Sequence, residues 1–269
     1  METPRRRILL ATDLSPRCDR ALDRAVALAR DWSAELVVVH ALGDGAPDAE
    51  AEALAQRRLR EDLNAQALPV RVVVAREGAA ALVGRTAEAL QCELVLTGVA
   101  RDEPLGRFFV GNTVEQLLRQ TRVPVLVVRR RPHAAYRKLL VATDFSPGSL
   151  TALDTALRLW PRASVRALHG FTVPFESHAA NPDASRARIR EELEGVAATF
   201  IAGRQVPVLL EYGRPERALR QLEDAGESDL TVLGTEGRSG LAGLLLGSVA
   251  TRVVAELRGD VLVVPHGRG

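Results

Sequence analysis

RILLATDLSP, at residues 7–16, returns 131 residues later as KLLVATDFSP, at residues 138–147. Three further blocks recur in the same order: LVVVH at 36–40 as VRALH at 165–169, ELVLTG at 93–98 as DLTVLG at 229–234, and VLVV at 125–128 as VLVV at 261–264. Four blocks in one order, at offsets of 129 to 136, indicate a duplicated domain. We assign residues 1–129 to the first copy, 130–137 to a linker and 138–269 to the second copy.

Each copy alternates short apolar runs with helical stretches. The runs are rich in Val and Leu, as expected for strands buried on both faces of a parallel sheet. In the first helix, Leu22 and Val26 have helical spacing, with Arg24 assigned to the solvent side. Ser15 and Ser146 each precede a proline, which predicts an N-cap whose side-chain oxygen accepts a free helix N–H. The order β-α-β-α-β-α-β-α-β predicts two α/β domains, each an open, doubly wound sheet.

Composition narrows the class of protein. The chain has 269 residues, 46% of them apolar, and a net charge of +2, which argues against a dedicated nucleic-acid binder. Its apolar runs are too short to span a bilayer and its start lacks a secretory signal, so we expect a cytoplasmic protein with no membrane partner. Cys18 and Cys92 have no metal-ligand or disulfide spacing and are interpreted as inert. The basic linker, with Pro132, is interpreted as a solvated tether.

The segment most informative about chemistry is GTEGRSGLAGLLLGS at residues 234–248. Glycine at 234 and 237 allows a tight turn, with positive φ where required, and close approach of a ligand. Gly247 and Ser248 fall at a predicted helix start, where free N–H groups and the helix dipole favour an anion. No Gly-Lys-Ser/Thr follows, so this is not a Walker-type loop.

These features together resemble the universal stress protein family in its tandem-domain form. The resemblance depends on the aspartate after the first strand (Asp13, Asp144), the G-x2-G-x9-G-[ST] signature, and the closing strands at 124–128 and 260–264. It implies a five-stranded parallel sheet of order 3-2-1-4-5 in each copy. It also implies ATP or a related adenine nucleotide as cofactor, with the base and ribose near the first-strand aspartate and the phosphates on the glycine motif.

Carried over by position, the resemblance places the nucleotide in the second copy, next to Ala142, Asp144, Gly170, Leu233, Gly234, Gly237, Gly247, Ser248 and Val249. Asp144 also has a plainer interpretation, as a turn residue before the Ser146 cap. Glu236 stands where family members often have histidine. A carboxylate there disfavours phosphates unless Mg²⁺ or Arg238 offsets its charge.

The first copy keeps the spacing of the motif but not its residues. Its counterpart runs from Gly98 to Asn112, with Arg101 in place of the second glycine and Asn112 in place of the hydroxyl residue. A side chain at 101 would fill the phosphate space, so we predict that this degenerate site (Asp13, Gly98, Arg101, Gly111, Asn112) has lost the nucleotide. An alternative is that the Arg101 guanidinium replaces the backbone donors.

The remaining functional hypotheses follow from what the sequence lacks. It has no nucleophile elbow, paired catalytic carboxylates or metal-ligand spacing, and His40 and His169 are interpreted as structural. We therefore expect a stress or regulatory protein with little or no turnover, rather than an enzyme. A slow ATPase and a nucleotide-independent interaction scaffold are the alternatives. The last strands also suggest pairing between the two domains of one chain, and a possible homodimer.

Overall fold

The computed structural model describes residues 6–45, 48–64, 68–98, 100–102, 107–109, 112–173, 181–235 and 247–265. The chain forms two compact units that divide between Ala135 and Tyr136, within the predicted linker. Among the described residues, no helix is both long and apolar enough to cross a membrane.

The first copy is an open parallel sheet with helices on both faces. Its strands lie in the order β3-β2-β1-β4-β7, and every neighbouring pair is parallel. Counted along the chain, these five strands have the predicted order 3-2-1-4-5. The strands are β1 (Arg7–Thr12), β2 (Glu35–Ala41), β3 (Val70–Ala75), β4 (Leu94–Gly98), the short β5 (Ala100–Asp102) and β6 (Arg107–Phe109), and β7 (Val125–Val128). The helices are α1 (Asp19–Asp31), α2 (Ala49–Asn64), α3 (Ala79–Ala89) and α4 (Asn112–Gln120).

The second copy repeats this architecture. Its strands lie in the order β10-β9-β8-β11-β12, again all parallel. The strands are β8 (Lys138–Ala142), β9 (Ser164–Phe171), β10 (Val208–Tyr212), β11 (Leu230–Gly234) and β12 (Asp260–Val264). The helices are α5 (Pro147–Leu159), α6 (Pro182–Phe200), α7 (Pro215–Asp224) and α8 (Ser248–Glu256).

The central strands are apolar because helices cover them on both faces. Ile8, Leu9 and Leu10 in β1 are consecutive and all buried, as are Leu139, Leu140 and Val141 in β8. Right-handed crossovers that run in opposite directions from the first strand place helices on opposite faces. In the first copy α1 and α2 therefore cover one face, and α3 and α4, which pack against each other, cover the other.

Charged side chains hold the amino ends of the first-copy strands together. Glu35, at the start of β2, accepts hydrogen bonds from Arg7 at 2.9 Å and Arg71 at 3.1 Å. Burial raises the pKa of the Glu35 carboxyl, but the two guanidinium groups outweigh it, so the pKa lies below its usual value. The group is therefore ionised at neutral pH and links three adjacent strands.

Two sequence expectations about arginines are wrong. Arg24 is buried, since its guanidinium donates to the Ala134 carbonyl at 2.9 Å instead of facing solvent. Arg129, just before the linker, is also buried, and so is Tyr136 within it, so this basic segment is solvated only in part. At the far end of the linker the Tyr136 hydroxyl donates to the buried Asp260 carboxylate at 2.5 Å.

Candidate functional site

The turn after β8 brings Asp144 to the carboxyl edge of the second sheet. Asp144 Oδ1 accepts the Ser146 N–H at 3.1 Å, and Thr143 Oγ1 accepts the Phe145 N–H at 2.9 Å. Ser146 then caps α5 by accepting the Ser149 N–H at 3.2 Å, as predicted. The plainer interpretation of Asp144 as a turn residue is therefore correct, whatever further contacts its carboxylate makes.

Phe145 has an unusual backbone that sequence reasoning missed. Its φ is +62°, and Leu14 at the same place in the first copy has a φ of +61°. Bulky residues rarely adopt this left-handed region, which costs of order 1–3 kcal/mol. The centroid of the Phe145 ring lies 4.5 Å from that of the His169 ring and 5.4 Å from that of the Phe200 ring, and these contacts hold the strained turn.

Gly170 lies within β9 and is packed against the start of α7. A Cβ on Gly170 would lie 2.7 Å from the Pro215 nitrogen and 2.9 Å from its Cα. Real Cβ atoms do not approach backbone that closely. The missing side chain therefore has a packing reason that is independent of any ligand.

Gly234 ends β11 and is also required by packing. A Cβ there would lie 2.8 Å from the Gly148 carbonyl oxygen, in the first turn of α5. Gly234 does not have a positive φ, so a left-handed turn is not what requires glycine at this position. Because Gly234 has no side chain, α5 can pack close to the sheet at this point.

The glycine loop begins and ends at one point of this edge. The Gly247 N–H donates to the Thr235 carbonyl at 3.0 Å, which brings the start of α8 to the carboxyl end of β11. Gly247 is the N-cap and Ser248 the first helical residue, as predicted. The first N–H groups of α8, from Ser248 to Ala250, have no hydrogen-bond partner within the helix, and helix starts of this kind favour an anion.

The other predicted residues of the second copy lie at the same edge or outside the described residues. Ala142, the last residue of β8, is half-buried. Leu233 is buried in β11, and Val249 is 39% exposed at the start of α8. Gly237 lies outside the described residues, as do Glu236 and Arg238.

An ion pair between a buried carboxylate and a half-exposed arginine connects the starts of α7 and α8. Glu216, next to Pro215, is 3% exposed, and its Oε1 contacts Arg252 Nε, one turn into α8. Glu216 Oε2 is buried without a hydrogen-bond partner. Sequence reasoning did not find this pair, because its members are 36 residues apart and nothing local marks them.

The corresponding turn of the first copy differs at three positions, and the change at Cys18 alters its hydrogen bonds. Asp13 Oδ1 accepts the Ser15 N–H at 2.9 Å, so Asp13 is a turn residue as predicted. Cys18 takes the place of Ser149, and its thiol donates to Asp13 Oδ1 at 3.1 Å. Ser15 makes no side-chain cap, contrary to expectation, and residues Pro16–Cys18 form a 3-10 turn before α1.

Charge and burial shift the pKa values around this turn. Burial raises the pKa of Asp13, but hydrogen bonds from Ser15 and Cys18 outweigh it and hold the pKa below its usual value. Burial raises the pKa of the Cys18 thiol to about 11, and that of Cys92 to about 11 as well. Both cysteines are therefore protonated at neutral pH, which agrees with the sequence interpretation that they are inert.

The degenerate motif of the first copy includes a hairpin. Strand β5 pairs antiparallel with β6, and Arg101 lies opposite Phe108. Gly98 ends β4 and Asn112 begins α4, while Gly111 lies outside the described residues. The backbone around Arg101 is thus extended and paired, a different conformation from the tight glycine turn that the intact motif predicts.

The histidines that were interpreted as structural have backbone partners. His40 Nδ1 lies 2.9 Å from the Thr12 oxygen, and His169 Nδ1 lies 2.7 Å from the Thr143 oxygen. His133 is exposed, and His178 and His266 lie outside the described residues. Each of the two strand histidines fixes the end of its first strand, which is the edge where ligands bind in such sheets.

The sheet order and this edge define the class of protein. Each copy is a doubly wound α/β domain whose order reverses beside its first strand, and such folds bind ligands outside the carboxyl ends of the strands at that reversal. In the second copy this edge carries the start of α8, the turn at Asp144 and the close-packed Gly170.

Comparison with known proteins then identifies the family. The model of the universal stress protein family matches residues 4–129 and again 135–265, so the chain belongs to this family and carries two of its domains. A universal stress protein of Mycolicibacterium smegmatis is 31% identical over 183 residues, which is 64% of this chain and 61% of that protein. The chain thus spans about three fifths of the length of the curated relatives it matches.

Solved structures share the fold over nearly the whole chain. A universal stress protein from Archaeoglobus fulgidus superposes with a TM-score of 0.72 at 18% identity, covering 98% of this chain and 100% of that one. The protein PA1789 from Pseudomonas aeruginosa gives a TM-score of 0.71 at 21% identity, covering 97% and 93%. A universal stress protein solved in complex with cAMP is 31% identical and covers 49% of this chain and 98% of its own, with a TM-score of 0.33.

Proposed function

We propose that this universal stress protein binds ATP or a related adenine nucleotide in its second copy and acts as a regulator with little or no turnover. The observation that carries the proposal is the hydrogen bond from the Gly247 N–H to the Thr235 carbonyl. It brings the free N–H groups at the start of α8 to the carboxyl end of β11, beside the strand reversal. Phosphates would bind these N–H groups, with Gly237 and Ser248 on the loop.

The base and ribose would lie along Ala142, Asp144 and Gly170. This position is supported by Pro215, whose contact with Gly170 brings the start of α7 to the same edge. Glu216 follows in the chain, and its buried Oε2 lacks a hydrogen-bond partner. The adenine amino group or a ribose hydroxyl would supply the donor that this oxygen needs.

We propose that the first copy has lost the nucleotide. The hairpin of β5 and β6 pairs the backbone at Arg101, whereas the intact motif has glycine at that position. Asp102 and Glu103 add negative charge nearby, which opposes a phosphate. One nucleotide per chain is the expected stoichiometry.

Two tryptophans allow the site to be assigned to a copy. Trp32 lies in the first copy and Trp160 in the second, and the sequence has no others. Each single-tryptophan variant, Trp32→Phe or Trp160→Phe, then reports the unfolding of one unit. ATP should raise the unfolding midpoint seen by Trp160 and leave that seen by Trp32 unchanged, since a ligand at 100 times its Kd stabilises the unit that binds it by about 2.7 kcal/mol.

A matched exchange of residues supplies the control. Gly237→Arg copies Arg101 into the second copy and should abolish the shift, whereas Arg101→Gly in the first copy should leave it intact.

Mg²⁺ should strengthen binding, because Glu236 places a carboxylate in the loop. Denatured protein should release about one adenine nucleotide, seen by mass spectrometry, and hydrolysis should be slower than about one per second. A shift at Trp32 alone, or none with Mg-ATP, would refute the proposal.

A further inference from the structure

The first copy contains a cavity that the nucleotide proposal does not use. Its volume is about 80 Å³, and it lies between the sheet and helices α1 and α2. Six of its lining residues are apolar: Leu10, Leu14, Leu22, Val38, Leu59 and Leu63. The other four are polar or weakly polar and belong to the turn after β1 and the start of α1: Thr12, Ser15, Cys18 and Asp19.

This cavity lies on the opposite face of the sheet from the nucleotide position. Successive strand residues point to opposite faces, so Leu10 and Thr12 face one way and Ala11 the other. Ala11 corresponds to Ala142 of the second copy, which is proposed to contact the base. The cavity is therefore separate from the degenerate nucleotide site.

Two substitutions between the copies explain why the space is open. Leu14 and Phe145 occupy the same left-handed position, with φ of +61° and +62°. In the second copy the Phe145 ring packs against His169 and against Phe200, in the last turn of α6. In the first copy the last turn of α2 supplies Leu63 instead, and both leucines line the cavity. Leucine is smaller than phenylalanine, and close-packed interiors leave few such voids.

The size and walls of the cavity define its ligand. An apolar cavity of about 150 Å³ binds benzene, so about 80 Å³ suits a compact molecule of a few carbon atoms. The polar lining residues lie together at the turn after β1 and the start of α1, so a ligand with one apolar part and one polar group fits both parts of the lining. Among the described residues Ser15 Oγ has no hydrogen-bond partner although it is buried, so one hydroxyl on the ligand would satisfy it.

We propose that the first copy binds a small, mainly apolar molecule with a single hydroxyl group, of the class of short branched alcohols, in this cavity. The apolar part would contact Leu22, Leu59 and Leu63, and the hydroxyl would bond to Ser15 Oγ. This site is independent of the nucleotide site, so either can be present without the other.

The test is a titration of the full chain with 2-methyl-1-propanol, followed by the NMR signals of leucine and valine methyl groups. The expected result is saturable shifts confined to methyl groups of the six apolar lining residues, with a Kd of about 1–10 mM for five non-hydrogen atoms. Ethylene glycol, which keeps hydroxyls but lacks the apolar body, should give none.

Leu14→Phe fills the cavity with the residue that the second copy already accepts at the same φ, and it should weaken binding by at least tenfold. Leu63→Phe fills it from the other side and provides a second variant if the first disturbs folding. Phe145→Leu in the second copy should create a new site of the same kind. Shifts that do not saturate, that persist in both filled variants, or that spread over the whole surface would overturn the proposal.

Discussion

Substituting Gly170 by alanine should destabilise the second copy even with no ligand present. The added Cβ would lie 2.7 Å from the Pro215 nitrogen and 2.9 Å from its Cα and Cδ. Ordinary carbon contacts begin near 3.4 Å, so either β9 or the start of α7 must move by several tenths of an ångström. Only Gly213 and Arg214 separate β10 from α7, and the Gly213 N–H bonds to the Phe171 carbonyl at 2.8 Å. The two-residue connection between β10 and α7 therefore leaves the start of α7 little freedom to move away from β9.

Overpacking of this kind costs about 1–3 kcal/mol. Urea unfolding in the Trp32→Phe background would measure the change through Trp160 alone. We expect a lower midpoint with an unchanged slope, equivalent to a decrease in the free energy of unfolding within that range. At the position that corresponds to Gly170, the first copy has Ala41. Helix α3, which corresponds to α7, begins at Ala79 and not at a proline.

Gly195→Ala is the matched control. Gly195 lies in α6 with nothing within 4 Å of its Cβ position, so alanine there should stabilise the helix by about 0.5–1 kcal/mol. If Gly170→Ala left the apo protein as stable as the wild type and weakened only ATP binding, the packing explanation would be wrong and Gly170 would serve the ligand alone.

Three further predictions concern the first copy. Cys18→Ser should let Ser15 cap the helix as Ser146 does, raising the free energy of unfolding reported by the first-copy tryptophan by about 1 kcal/mol; an unchanged midpoint would contradict this. Glu35→Gln should cost about 0.5–1 kcal/mol at pH 7. Because the folded pKa of Glu35 is lowered, its contribution is present above about pH 4.3 and is lost as the pH falls further, so wild type and variant should converge in acid unfolding. Cys18 and Cys92 should react with a disulfide reagent at pH 8 much more slowly in the folded protein than in urea, since burial raises both pKa values to about 11.

Much of the fold was predictable because it depends on patterns that repeat along the chain. Each buried strand is a run rich in Val and Leu, and the repetition of four blocks along the chain indicates two domains. The Ser146 cap and the helix start at Ser248 were also predictable, because capping depends on residues that are neighbours in sequence.

The site was less predictable, because the reason for a residue often lies on a distant element. Gly170 and Gly234 were assigned to a ligand, yet their size is required by Pro215 and Gly148. The contribution of their backbones to nucleotide binding stays a prediction, as do the pairing of the two last strands and a homodimer.

By itself the sequence determined the duplication and the position of the glycine loop along the chain, because local hydrophobic patterns and turn residues set these features, while the sheet order was implied by the family resemblance. Tertiary structure alone decided that Glu216 meets Arg252, that Ser15 fails to cap its helix, and that Leu14 and Leu63 line a cavity in the first copy. These outcomes depend on how side chains far apart in the chain share the same space, and packing at close-packed density is a property of the folded molecule, not of any segment.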